Sequence, residues 1–202
     1  MSDNGITIWW EGLSASLSAG ATIAACTEEA MSNLEEVLSM KLPKGYREFC
    51  QVFGTGEFNR LARIYCPCAI KPENDVRFSG PFMLQSLREG VEFERESHEM
   101  GHPSIAVETI SALERLLESA VVFGDTVRAD IFLWDLNSFN TSDQSYDIYM
   151  APIDALGQCL RVGRDFREFL YNFCFSSNSD EILPPDLRFN QPPLTSATFV
   201  SL

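Results

Sequence analysis

His98-Glu99-Met100-Gly101-His102 is a literal H-E-x-x-H string, and it uses both histidines of the chain. On an unbroken helix this spacing sets two imidazoles on one face, where they bind zinc, and leaves the glutamate placed as general base. Gly101 and Pro103 weaken the helix at the point where the motif needs it. Glu92, Glu94, Arg95 and Glu96 give the string a solvated approach, and nothing marks Glu114 or Glu118 as a third ligand. The expectation is therefore two surface histidines at a frayed acidic helix end, with no metal and no cofactor. A zinc-dependent hydrolase using His98, Glu99 and His102 is the alternative.

Other reactive groups are sparser. Cys66-Pro67-Cys68 could hold a metal only with further ligands. Six cysteines in 202 residues do not make a disulfide framework, and Cys50 and Cys174 fall inside apolar periodicities. Reduced, mostly buried thiols in a cytoplasmic protein are expected. Asp125, Asp130 and Asp135 lie close enough in sequence to collect a cation, but their spacing is not that of an EF-hand loop, and strand-end turn residues are the better reading. No glycine pattern matches a phosphate loop or a dinucleotide fingerprint, and there is no Gly-x-Ser-x-Gly elbow. Trp9-Trp10 reads as buried against the domain rather than as an exposed anchor.

These residues depend on the elements around them. Thr27 caps a helix whose first turn holds Glu28 and Glu29 and whose stripe is Ala30, Met31, Leu34, Val37 and Leu38, ended by Pro43. Tyr46, Phe49, Cys50 and Phe53 form a second helical face, closed by Gly54-Thr55-Gly56. Arg60–Tyr65 reads as a strand. Pro81 opens a helix through Leu84, Leu87 and Val91, broken at Gly101-His102-Pro103. Ile110, Leu113, Leu116 and Leu117 mark another helix. Val121-Val122-Phe123 and Ile131-Phe132-Leu133-Trp134 are strands, the second apolar on both alternating faces as an inner strand requires. Asp147–Met150 and Cys159–Val162 read as two more strands, and Phe166, Phe169, Leu170 and Phe173 as a closing helix. Helices, strands and a closing helix make an α+β domain with a central, mostly antiparallel sheet.

Composition bounds the partners. Fifteen Lys and Arg against 29 Asp and Glu leave a net charge of −14. Such a surface repels phosphate backbones and anionic lipid, which argues against nucleic-acid or membrane-surface binding and favours a basic protein partner. No uninterrupted apolar run is long enough for a membrane span. The small-residue segment Leu13–Cys26 lacks the basic start of a secretion signal, since the first Lys or Arg is Lys41.

Thr27–Phe58, above all Leu42-Pro43-Lys44-Gly45-Tyr46-Arg47-Glu48-Phe49 followed by Gly54-Thr55-Gly56, resembles the opening of SMI1/KNR4 (SUKH) domains. Val122-Phe123-Gly124-Asp125 is similar to that family's phenylalanine-glycine turn, Ala129–Asp135 to its Gly-Asp strand, and Asp165–Leu170 to its closing helix. Ala129 departs from the pattern, standing where the family usually has glycine. The resemblance divides the chain into an N-terminal extension (1–26), the SUKH-like domain (27–175) and a Pro/Ser-rich tail (176–202) that lies over the domain or is partly disordered. It implies a non-enzymatic domain that binds other proteins. Bacterial members are often immunity proteins that neutralise a toxin domain, frequently a nuclease, and fungal relatives resemble regulatory scaffolds in cell-wall signalling. Binding residues do not transfer from the family. The expected interface is the acidic run Glu89, Glu92, Glu94, Glu96 and Glu99, with Asp125 and Asp130 at nearby turns. Oligomeric state is not legible.

Overall fold

The computed structural model describes residues 10, 12, 13, 25–174, 182–185, 188 and 198–202. Helix α1 (Glu28–Leu38) starts where Thr27 accepts a hydrogen bond from the Ala30 amide and stops at Ser39, whose left-handed backbone turns its N–H back onto the Glu35 and Glu36 carbonyls. Helix α2 (Lys44–Val52) follows Pro43 and buries Tyr46, Phe49 and Cys50. Strands β1 (Gly56–Phe58) and β2 (Ala62–Ile64) form a hairpin whose turn residues, Asn59 and Arg60, both have positive φ. That is the turn geometry whose twist matches paired strands. The long helix α3 (Val76–Glu99) and helix α4 (Val107–Glu118) come next.

Strands β3 (Ala120–Thr126), β4 (Ile131–Asp135), β5 (Ile148–Ala151) and β6 (Leu160–Gly163) then run antiparallel. Helix α5 (Phe166–Phe169) continues into a π turn over Leu170–Cys174, and β7 (Phe199–Ser201) is the last element. The seven strands form one antiparallel sheet in the order β6-β5-β4-β3-β2-β1-β7. This is the α+β architecture that the alternation of helical and strand patterns predicts.

Both faces of the sheet are covered, as the apolar β4 run requires. On one face Phe123, Phe132, Trp134, Ile148 and Met150 meet α1, α2 and α5 in a large aromatic core. On the other, Val122, Ile131, Leu133 and Ala151 pack against Leu87 and Val91 of α3 and Ile110, Leu113 and Leu117 of α4. Tyr46 ties the first core together: its ring stands edge-on to Trp134 at 4.8 Å and to Phe166 at 5.4 Å, and its hydroxyl donates to the Tyr65 carbonyl at 2.5 Å.

Several elements depart from the sequence expectation. Helix α3 begins at Val76, where Asp75 caps the Arg77 amide at 2.9 Å, and Pro81 lies inside it. Gly80 makes that path possible, because a Cβ there would stand 2.8 Å from the Val122 carbonyl oxygen. Phe123-Gly124-Asp125 is no turn but the middle of β3, with a bulge between Val122 and Gly124. The 1–26 and 176–202 segments pack on the domain where they are described, Trp10 as expected and the tail with a strand that was not. Trp10, Leu13 and Cys26 are buried in the aromatic core, and β7 adds an edge to the sheet. Trp9 lies outside the described residues.

Candidate functional site

The H-E-x-x-H string belongs to no cluster of three metal-ligating groups among the described residues. Helix α3 ends at Glu99, and Gly101 turns into the left-handed region at φ 81. The His102 amide donates to the Ser97 carbonyl at 2.9 Å and the Gly101 amide to His98 at 3.1 Å. This is a glycine-terminated helix end. It ends the continuous helical turn on which the motif relies to set His102 beside His98. Glu114, offered as third ligand, instead pairs with Arg95.

The three aspartates are also apart in their tasks. Asp125 is 5% exposed and takes a two-pronged contact from Arg63 at 2.5 and 2.7 Å, plus the Tyr65 hydroxyl at 3.1 Å. Burial pushes its carboxyl above the ordinary range, and the Arg63 charge pulls it back without cancelling. Asp130, also 5% exposed, accepts from the Thr126 hydroxyl at 2.8 Å within the turn joining β3 to β4. Asp135 accepts the Asn137 amide at 2.9 Å. Asp130 is the turn residue that the sequence predicts and Asp135 ends β4, whereas Asp125 lies within β3. The expectation that Asp125 and Asp130 present themselves to a partner is corrected, because both carboxylates are spent inside the domain.

The acidic run fares differently. Leu87 and Val91 fix the inner side of α3, and helical geometry then turns Phe78, Phe82, Glu89, Phe93 and Glu96 together to the opposite side. Glu89, Glu92, Glu96 and Glu99 are exposed and Glu94 half-buried, where it accepts from the Ser104 hydroxyl. Phe78, Phe82 and Phe93 are 61%, 74% and 63% exposed. The sequence reading found the acids and missed these three aromatics. Their signal was present in the i, i+4, i+15 spacing, but the apolar residues of the helix were all assigned to its inner face. Where α3 leans on α4, a cleft of about 460 Å³ is lined by Glu92, Glu114 and Glu118 with Arg88 and Arg95 at its walls.

A second group lies in the core beneath α1 and α2. Cys26 and Cys68 are joined by a disulfide, which corrects the expectation of reduced thiols throughout. Cys50, Cys66 and Cys174 are free and buried, and Cys159 is free and half-buried. Burial pushes the Cys50 thiol well up, as it does Cys174. Among the described residues, Cys26, Cys50 and Cys66 form the one cluster with the spacing of metal ligands.

No described helix is long and apolar enough to cross a membrane. The model of the SMI1/KNR4 family (SUKH-1) matches residues 25–172. Neither a curated protein nor a solved structure matches the chain.

Proposed function

Because the chain belongs to the SMI1/KNR4 family (SUKH-1), we propose that it is a protein-binding domain that performs no chemistry of its own. In its most concrete form it is an immunity protein that neutralises a basic toxin, such as a nuclease, by covering it. The proposed site of action is the cytoplasm.

The outward side of α3 carries this reading. Monomeric surfaces rarely leave several phenylalanines more than half exposed on one helix, and aromatic side chains supply most of the anchoring energy at protein interfaces. Here Phe78, Phe82 and Phe93 stand among Glu89, Glu92 and Glu96. The aromatics suit insertion between a partner's side chains. The carboxylates suit the lysines and arginines with which a nuclease holds phosphate. The overall charge of −14 draws such a partner in from a distance. Occlusion of a phosphate-binding surface is then steric and electrostatic.

Growth is the direct readout. Co-expression of the chain with the toxic product of the neighbouring gene is expected to restore growth. The Phe82→Asp/Phe93→Asp double variant is expected to lose that rescue while keeping its circular dichroism and melting temperature. Rescue undiminished in the double variant, or no rescue by the unaltered chain, overturns the proposal.

A further inference from the structure

Three of the six cysteines meet at one place in the core, and a fourth, Cys68, is bonded to one of them, although they arrive from three separate segments. Cys26 lies just ahead of α1, Cys50 in the last turn of α2, and Cys66 and Cys68 in the loop after β2. The Sγ atoms of Cys26, Cys50 and Cys66 all lie within 4.8 Å of one another, and Cys50 and Cys66 are 3.1 Å apart. Cys68 joins the group through its bond to Cys26. Sulfurs around a tetrahedral zinc ion stand about 3.8 Å apart, given Zn–S bonds of about 2.3 Å. The Cys50–Cys66 separation lies somewhat inside that value, and no pair among the three exceeds 4.8 Å.

The surrounding backbone holds the four in place. The Cys26 amide donates to the Cys50 carbonyl at 2.9 Å, and the Cys66 amide to the Thr55 hydroxyl oxygen at 2.7 Å. The Thr55 hydroxyl donates back to the Cys66 carbonyl at 3.3 Å, and Arg77 reaches the Pro67 carbonyl at 3.4 Å. The Cys-Pro-Cys string lacked only further ligands for a metal, and the fold brings two of them.

We propose that Cys26, Cys50, Cys66 and Cys68 bind one zinc ion in the reduced chain as a closed structural site, and that the Cys26–Cys68 disulfide is the metal-free, oxidised state of the same residues. Reduction by a dithiol moves two electrons and two protons to the Cys26–Cys68 bond, leaving four cysteine thiols and the reductant as a disulfide. One Zn²⁺ then takes four thiolates and releases four protons. With four protein ligands, no coordination position is left for water, so the ion staples α1, α2 and the β2 loop and catalyses nothing. A sulfur-only tetrahedral set selects zinc or iron over harder cations. The site is independent of what α3 binds.

The full chain, purified without oxygen in the presence of a dithiol, is expected to contain one zinc per molecule by elemental analysis. The same chain stripped of metal and titrated with Co²⁺ is expected to show thiolate-to-cobalt charge-transfer absorption that saturates at one equivalent. Cys50→Ser and Cys66→Ser should weaken that binding by at least roughly tenfold, whereas Cys159→Ser should leave it unchanged. The unaltered chain is the deciding sample, since it needs no substitution in the core. A reduced chain that shows no cobalt charge transfer overturns the proposal, as does iron in place of zinc.

Discussion

Ala129 closes the turn between β3 and β4 with φ at 64, a conformation that costs an L-residue about 1–2 kcal/mol. It is exposed and its amide donates to the Thr126 carbonyl at 2.9 Å, so its side chain repays none of that cost. This is the position where the family pattern has glycine, and the backbone now gives the reason. Ala129→Gly is expected to stabilise the domain by about 0.5–1 kcal/mol, the relief of strain less the entropy a glycine loses on folding. A higher urea midpoint at unchanged slope checks it. At this scale the sequence conveys local geometry well and burial poorly. Gly101 and Pro103 sufficed to break the H-E-x-x-H string, because helix termination is decided within a few residues. Asp125 looked like a free carboxylate because its partner, Arg63, lies 62 positions away in the chain.

Elements with local causes were legible. The Thr27 cap and the Met31/Leu34 stripe place α1, and the unbroken apolar run at Ile131–Trp134 marks β4 as the covered inner strand it is. Two of the short strands, β1 and β7, escaped notice, while β2 falls inside the expected Arg60–Tyr65 strand. Gly56-Glu57-Phe58 opens with a glycine that reads as the end of the preceding helix, and its turn holds Asn59-Arg60 rather than the Asn-Gly that announces such hairpins. Strand β7 sits in a Pro- and Ser-rich stretch, and its pairing partner is β1, far away in sequence. Its anchor is Phe199, whose ring lies 4.9 Å from Phe58 and 5.2 Å from Phe53, over the bare backbone of Gly56. Phe199→Ala should cost about 3 kcal/mol, the lower end for a buried aromatic, because an edge strand can partly relax into the space. Chemical denaturation measures it. A loss under about 1 kcal/mol would mean that β7 contributes little to the sheet's stability.

For the molecule as a whole, burial of the sheet on both faces leaves helices and turns to meet any partner. Net charge was legible without structure, since it needs only counting. Where that charge adjoins exposed aromatics was not, since the register of α3 against the sheet decides which side of it faces out. The charge should show in kinetics more than in final affinity. Association with the proposed basic partner is expected to slow by at least about tenfold between low salt and half-molar salt, while dissociation changes far less. Stopped-flow mixing at several ionic strengths reads both rates.

Helix α3 leads two separate lives along its length. Its inner residues, Leu87 and Val91, are held to one shape by the sheet beneath them, while Phe82, Glu89 and Phe93 share no packing obligation with that core. Substitutions on the outer side therefore carry almost no folding penalty. A lineage can rewrite what this surface is proposed to recognise a few letters at a time, keeping pace with a changing partner, without ever passing through an unfolded ancestor.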